Sequence, residues 1–265
     1  MGKPRGALIV ALTAIVLVSA ACDSDSPESH AQPSKIHEPD IPFANVWSAD
    51  EGIELAGRGA ELIRASSEAG EYSYFYGSAH GYPGYEEATS GSGRDGVDDV
   101  FTRENPTKGD QSSRTLFRHI TDFAATDASV KATVCDFTIY PNPGRLDAPP
   151  HSSQFALQEA VAIELANSGA APGTPGTADA KPDSVDPRAH RPPTWNVFGS
   201  WRIEKLRVIE PSQLPDGCAR WWRQKFPDSY QDPGSNIVRV PADVQIPTQP
   251  VAVQYPEWIG PAKQE

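Results

Sequence analysis

Apolar residues at helical spacing predict an amphipathic helix at residues 48–70, near the start of the predicted domain. Ser48 and Glu51 fit a capping box, in which the two side chains satisfy free backbone amides at a helix start. The residues that follow at intervals of three and four are Ile53, Ala56, Ala60 and Ile63. Gly70 is a typical residue to terminate such a helix. The pattern therefore predicts a helix that begins at Ser48 and ends near Gly70.

Segments of high β-propensity predict a sheet in the middle of the chain. Residues 116–123 and 130–139 are rich in β-branched and aromatic side chains and predict a β-hairpin. Apolar and polar residues alternate over 155–165, which favours a strand; because of its several alanines, a helix is the alternative interpretation. Residues 195–209 predict a further strand, and residues 218–226 predict a short helix.

Shifts in composition divide the chain into segments. Residues 23–40 hold almost no apolar side chains, which predicts a flexible tether. Residues 168–194 are rich in proline, glycine and alanine and predict an insertion. Seven prolines between positions 227 and 261 predict an extended tail at 227–265. These boundaries place one α+β domain at residues 41–226.

The first 21 residues have the layout of a secretory signal peptide. Lys3 and Arg5 precede an apolar run at residues 7–18, and three small residues, Ser19 to Ala21, follow it. The apolar run is 12 residues long, whereas a membrane-spanning helix needs about 20 residues. We therefore expect residues 1–21 to be a signal peptide that is removed and not a membrane anchor that is kept.

The segment from Val18 to Cys22 resembles the lipobox of bacterial lipoproteins, in which small residues precede a cysteine that receives diacylglycerol. This resemblance implies cleavage before Cys22 and lipidation of its thiol, with residues 22–40 as the lipidated start and tether. Two acyl chains would hold the protein stably on the membrane. The expected location is extracytoplasmic, with the membrane as a partner. Ser19 stands three places before Cys22, where lipoboxes usually have leucine or valine. The alternative is an ordinary cleaved signal peptide without lipidation.

The charge of the chain bears on its partners. The formal net charge is −12, and removal of residues 1–21 makes it −14, because that segment carries Lys3 and Arg5 and no acidic residue. Nucleic acid attracts basic surfaces. We therefore expect no nucleic-acid partner.

The three cysteines predict one disulfide. If Cys22 is acylated, Cys135 and Cys218 remain as a pair in a compartment where disulfides persist. A metal site is less favoured, because neither cysteine has neighbours at ligand spacing. A catalytic thiol lacks any local motif. The bond would close a loop of 83 residues.

The order of helix, aromatic stretch (residues 72–85), hairpin and strands resembles that of NTF2-like (cystatin-like) domains. In that family a curved antiparallel β-sheet wraps an N-terminal helix to form a cone. The resemblance spans residues 48–210 and rests also on a middle strand at 132–137 and on the sequence Gly-Ser-Trp-Arg-Ile at 199–203. The insertion at 168–194 and the segment after Cys218 depart from the simplest family pattern. The fold hosts enzymes and non-enzymes, so it implies no particular activity.

Candidate catalytic residues are few. The sequence lacks a Gly-x-Ser-x-Gly elbow, a His-Glu-x-x-His pair, a phosphate loop and a Cys-x-x-Cys pair. Because NTF2-like enzymes place Asp, His or Tyr inside the cone, His119 is the catalytic candidate, with Asp122 and Asp136 as conceivable partners. Alternation along a strand puts Asp122 on the opposite face from His119. A tight hairpin turn would place Asp136 opposite Thr115, about 14 Å from His119. Neither partner is then within hydrogen-bond reach.

A cluster of aromatic residues provides candidates for ligand binding, because rings with polar tips can line a cavity or an interface. Its members are Tyr72, Tyr74, Tyr76, His80, Tyr82 and Tyr85. The alternative is that these rings close the open end of the core. No metal or other cofactor is expected, since the acidic residues of the following loop do not fit EF-hand spacing. These are Asp95, Asp98, Asp99 and Asp110.

Together these features predict a membrane-anchored lipoprotein of the cell envelope. Its body is expected to bind a small-molecule ligand or another envelope protein without catalysis. An NTF2-like isomerase or dehydratase, with His119 and a tyrosine as proton-transfer groups, is one alternative. A structural spacer of the envelope is the other.

Overall fold

The computed structural model of the protein describes residues 43–78, 81–91, 96–104, 113–141, 155–169, 171–179, 185–241, 243–244 and 247–261. The predicted signal peptide, the lipidation site at Cys22 and the tether lie outside these residues. In the part of the chain that is described, no helix combines the length and the apolar character needed to cross a membrane.

The described residues form helices and strands in one mixed arrangement, which confirms the α+β class. The helices are α1 (Arg58–Tyr76), α2 (Tyr85–Thr89) and α3 (Asp216–Lys225). The strands are β1 (Phe43–Ala49), β2 (Arg114–Ala125), β3 (Ser129–Ile139), β4 (Phe155–Leu157), β5 (Glu159–Asn167), β6 (Ala189–His190), β7 (Trp201–Val208), β8 (Tyr230–Gln231), β9 (Val238–Val240) and β10 (Trp258–Ile259).

The main sheet has five strands in the order β1-β2-β3-β5-β7. Its β2–β3, β3–β5 and β5–β7 pairs are antiparallel, and β1 runs parallel to β2. Two small sheets accompany it, one of β10 and β6 and one of β4, β9 and β8. The predicted hairpin is confirmed as β2 and β3, and the predicted short helix is confirmed as α3.

The start of the predicted helix is wrong. Ser48 lies in β1, which pairs with β2 over seven residues, and this long-range pairing outweighs the local capping-box signal. The helix begins at Arg58 and continues to Tyr76. Gly70 lies inside it, where a Cβ atom would be 3.0 Å from Phe101 and 3.2 Å from Leu206. Gly70 therefore permits close packing instead of ending the helix.

Helices cover both faces of the main sheet. Residues of α1, such as Ile63, pack against Ile120, Val134 and Ile163 on one face. Trp222 of α3 packs on the other face, in a cluster with Phe137 and the disulfide partners. Because alternate residues of a strand point to opposite faces, neighbouring positions of β2 and β3 belong to different cores. We call these cores the α1 side and the α3 side.

The predicted disulfide is present. Cys135 in β3 and Cys218 in α3 are bonded, with their Cα atoms 5.4 Å apart, and both residues are fully buried. The bond therefore fastens α3 to the centre of the main sheet.

The described part of the segment at 227–261 packs with the rest of the body, so the domain does not end at residue 226. Trp258 is 1% exposed and lies in the α1-side core. Tyr255 lies beside β1, where its amide donates to the Asn45 carbonyl at 2.9 Å and its carbonyl accepts from the Trp47 amide at 2.8 Å. Prolines fix φ and remove backbone donors, but they do not prevent the residues between them from packing.

The insertion predicted at 168–194 is also partly integrated. Its strand β6 pairs with β10 near the C-terminus. Thr177 forms a further bridge to Ile259. The domain predicted to end at residue 226 therefore extends through these C-terminal contacts.

Candidate functional site

His119 lies at a polar site on the α3 side of the sheet. Ser48 of β1 and His119 of β2 are paired in register, so their side chains are neighbours on the same face. Asp50 follows β1 directly, and its amide donates to the Ile120 carbonyl at 3.0 Å. The parallel pairing of β1 and β2 thus brings these three polar residues together.

The three side chains form a continuous chain of hydrogen bonds. His119 Nδ1 is 2.9 Å from Ser48 Oγ, and His119 Nε2 is 3.2 Å from Asp50 Oδ1. A neutral imidazole has one donor and one acceptor nitrogen. An ionised Asp50 accepts from Nε2–H, which leaves Nδ1 to accept the Ser48 hydroxyl proton. The Arg118 carbonyl, 3.2 Å from Ser48 Oγ, is a second acceptor for that proton.

Neighbouring groups fix the site from two directions. Thr121 Oγ1 donates to Asp50 Oδ2 at 2.6 Å. The indole of Trp221 stacks on the imidazole of His119, with ring centroids 5.0 Å apart and planes 10° apart. Gly217 allows α3 to approach this closely, because a Cβ atom there would lie 2.1 Å from Thr121 Oγ1.

The electrostatics of the site favour an ionised Asp50 beside a neutral His119. Burial lowers the pKa of His119, and although Asp50 opposes this shift, the nearby cations Lys225 and Arg220 add to it. Burial alone would raise the pKa of Asp50, but hydrogen bonds from Thr121 and His119 hold it below its ordinary value. At neutral pH the imidazole is thus available as a base.

The structure gives His119 different partners from those considered in the sequence. Asp122 occupies a left-handed backbone position with φ 51°, at an irregularity that shifts the pairing of β2 and β3 between Thr121 and Ala124. Asp136 faces Arg118 instead of Thr115, chiefly because the hairpin turn lies at residues 126–129 and not at 125–126. Asp50 was missed because it is 69 residues away in the chain and depends on a strand that the local pattern did not predict.

The tyrosines proposed as ligand-binding residues lie mainly in the core. Tyr72, Tyr82 and Tyr85 are only 2%, 3% and 1% exposed, so they close the core and offer no binding surface. Tyr74 and Tyr76 are half-buried at the end of α1. His80 lies outside the described residues.

Tyr82 instead contacts a buried carboxyl group, that of Glu68. Glu68 is 1% exposed. It accepts hydrogen bonds from Trp47 Nε1 at 2.7 Å, Tyr82 Oη at 2.5 Å and Trp258 Nε1 at 2.9 Å, and from Gln254 Nε2 at 3.3 Å. Burying an anion is tolerated only when its hydrogen-bonding capacity is met in this way. The hydrogen bonds to Glu68 join β1, α1, the aromatic stretch and the C-terminal segment.

A second carboxyl cluster lies at the edge of the α1 side. Asp136 and Glu159 face each other across β3 and β5 and share a hydrogen bond. Burial raises the pKa of Asp136 well above its ordinary value, and Glu159 raises it further, while Arg118 opposes the shift. Arg118 itself is hydrogen-bonded to Asn45, Ser67 and Glu71.

We expect Asp136→Asn to stabilise the protein at high pH. The native state retains a proton that the unfolded chain releases near pH 3.8, so this residue makes stability fall as pH rises above about 4. Asparagine does not titrate. The free energy of unfolding of the variant, relative to that of the wild type, should therefore be higher at pH 8 than at pH 4 by on the order of 1–2 kcal/mol. Urea unfolding at both pH values measures it. Asp127→Asn, at an exposed turn, is the control, and an equal gain there would contradict the assignment.

The acidic loop shows a structural contact and no metal cluster among its described residues. Asp98 accepts from Arg207 Nε at 3.1 Å and from the Val208 amide at 2.8 Å, so it covers the edge of β7. Asp95 and Asp110 lie outside the described residues. Across the described ranges, no group of three or more His, Cys, Asp or Glu residues is arranged to hold a metal ion.

Comparison of the chain with protein-family models, with curated proteins and with solved structures finds no match. The site at His119 is therefore interpreted from its own geometry.

Proposed function

We propose that the protein is a lipoprotein of the bacterial cell envelope, anchored through Cys22, whose NTF2-like body binds a ligand or another envelope protein. The observation that carries this proposal is the buried bond between Cys135 and Cys218. Structural disulfides persist in oxidising compartments outside the cytoplasm. The bond thus supports export, which the first 21 residues predict independently.

The packing of α1 on a mostly antiparallel sheet supports the NTF2-like part of the proposal. The parallel edge strand β1 is an addition to the pattern that the sequence suggested. Since Tyr72, Tyr82 and Tyr85 are buried, a partner would bind elsewhere. Ser48 and Asp50 are only half-buried and mark one polar site that reaches the surface.

The anchor is tested by mass spectrometry of the mature protein from a bacterial envelope fraction. We expect an N-terminus at Cys22 and the added mass of a diacylglyceryl group on its thiol. In the matched variant Cys22→Ala, the protein should leave the membrane fraction. A mature N-terminus elsewhere, or an unmodified Cys22, would defeat the lipoprotein proposal while leaving export intact.

Catalysis is a second candidate function, favoured by the hydrogen-bonded chain of Ser48, His119 and Asp50. The isomerase or dehydratase alternative needs a tyrosine beside His119. Tyr72, Tyr82 and Tyr85 belong to the α1-side core, whereas His119 stacks on Trp221 of α3. The geometry therefore favours chemistry at the serine over proton transfer between His119 and these tyrosines.

A further inference from the structure

We propose that Ser48 is a nucleophile for acyl transfer from carboxylic esters, with His119 as its general base and Asp50 as the residue that positions the imidazole. This inference rests on the second candidate function and is independent of the lipid anchor. It assigns a reaction class and three roles to the site.

The first support is the order of the contacts. A serine is a weak nucleophile unless a base lies within hydrogen-bond reach and a third group orients that base. Ser48 Oγ is 2.9 Å from His119 Nδ1, and Asp50 Oδ1 is 3.2 Å from Nε2. Either ring nitrogen can act as the base, provided that the other nitrogen donates to the carboxylate. The arrangement meets that condition.

The second support is the rigidity of the site. Thr121 holds the other oxygen of Asp50, and Trp221 holds the plane of the imidazole. The helix that carries Trp221 is fastened to β3 by the buried disulfide. A base held in one orientation loses little entropy when it reacts.

The third support is access from solvent. Ser48 is half-buried, and the Asp50 side chain is 36% exposed. Gly52, in the adjoining turn, has no atom within 4 Å of the position of a Cβ. The Arg220 guanidinium, whose side chain is 57% exposed, lies 4.0 Å from Asp50 and adds positive charge beside the site.

The reaction balances with the groups present. Ser48 Oγ forms a bond to the ester carbonyl carbon while its proton passes to His119 Nδ1. The resulting oxyanion collapses, the bond to the alkoxide breaks, and Nδ1 returns the proton to the leaving alcohol. Water then attacks the acyl group on Ser48, loses its proton to Nδ1, and releases the acid. The proton returns to Ser48 Oγ.

The same contacts would also join β1 to β2 in a protein without catalysis, so the test must measure reactivity instead of stability. The probe is an alkyl fluorophosphonate applied to the purified full-length protein. Its phosphorus bonds to Ser48 Oγ, fluoride leaves, and the hydroxyl proton passes to His119. Intact mass and peptide mapping report the rate and position of labelling.

We expect one phosphonyl group per chain, on Ser48, formed at least 100-fold faster than on the exposed Ser168. His119→Gln should slow labelling of Ser48 at least 100-fold, while the matched control His190→Gln should leave the rate unchanged. Asp50→Asn should slow labelling and change its pH profile, because asparagine no longer selects the tautomer that leaves Nδ1 free. Circular dichroism checks that each variant is folded.

Hydrolysis of p-nitrophenyl acetate provides a second readout in the same variants. Release of nitrophenol that depends on both Ser48 and His119 would support the proposal. Labelling of Ser48 at the rate of Ser168 in the folded wild-type protein would overturn it. So would an unchanged rate in folded His119→Gln. Neither result would affect the proposal of a lipid anchor, which rests on the mass at Cys22.

Discussion

Replacement of Trp258 by alanine is expected to lower the free energy of unfolding by about 3–5 kcal/mol. The side chain is 1% exposed, packs in the α1-side core, and donates a hydrogen bond to Glu68 at 2.9 Å. Its loss leaves a cavity and removes one donor from a buried carboxylate, and both effects destabilise the native state. Urea denaturation followed by circular dichroism measures the change.

The matched control for Trp258 is Tyr230→Ala. Both residues lie in the proline-rich segment at 227–265. Tyr230 is 41% exposed, whereas Trp258 is 1% exposed. We expect a change within about 0.5 kcal/mol for this exposed position. Equal and small effects at the two positions would mean that the segment is dispensable, which would contradict its place in the core.

Removal of the disulfide is expected to have the second large effect. The double variant Cys135→Ala/Cys218→Ala should lose about 4–5 kcal/mol, because the bond closes a loop of 83 residues in the unfolded chain. Both cysteines are fully buried, so the variant also loses packing between α3 and the sheet. The measurement is urea denaturation of the oxidised wild type and of the double variant.

Two controls separate the effect of losing the disulfide bond from the effect of replacing the cysteine side chains. Wild-type protein unfolded in the presence of a reductant should resemble the double variant, and Cys22→Ala should retain the full stability of the oxidised protein. A loss below about 1 kcal/mol in the double variant would show that α3 is held by packing alone.

The local parts of the fold were predictable from the sequence. The hairpin of β2 and β3 follows from β-branched residues on both sides of a short turn, and the disulfide follows from the pair of cysteines that remains if Cys22 is acylated. These signals lie within one segment or in a simple count. They do not depend on how distant segments meet.

The missed features depend on distant segments. The local sequence from Ser48 to Glu51 fits a helix cap, but β1 gains its hydrogen bonds from β2, which comes much later in the chain. Likewise, Trp258 and Ile259 stand among prolines, and only the presence of β6 and Glu68 shows why they are buried. A pattern within one segment cannot reveal such a partner.

The candidate site includes one residue that a local pattern identifies and others that depend on distant segments. His119 was identified as the catalytic candidate, but its partner Asp50 depends on β1, and the register of Asp136 depends on the irregularity at Asp122. That irregularity shifts the strand pairing, and no glycine marks it in the sequence. The sequence thus singles out His119 as a candidate, whereas the residues around it follow only from the fold.

The separation of 190 residues between Glu68 and Trp258 also bears on the order of events during synthesis. Domains usually fold as units while the chain emerges from its N-terminus. Here Glu68 is made long before two of its donors, Gln254 and Trp258, which follow it by 186 and 190 residues. The hydrogen bonds to Glu68 are therefore complete only after Trp258 has been made, so the α1-side core cannot reach its final packing before that point.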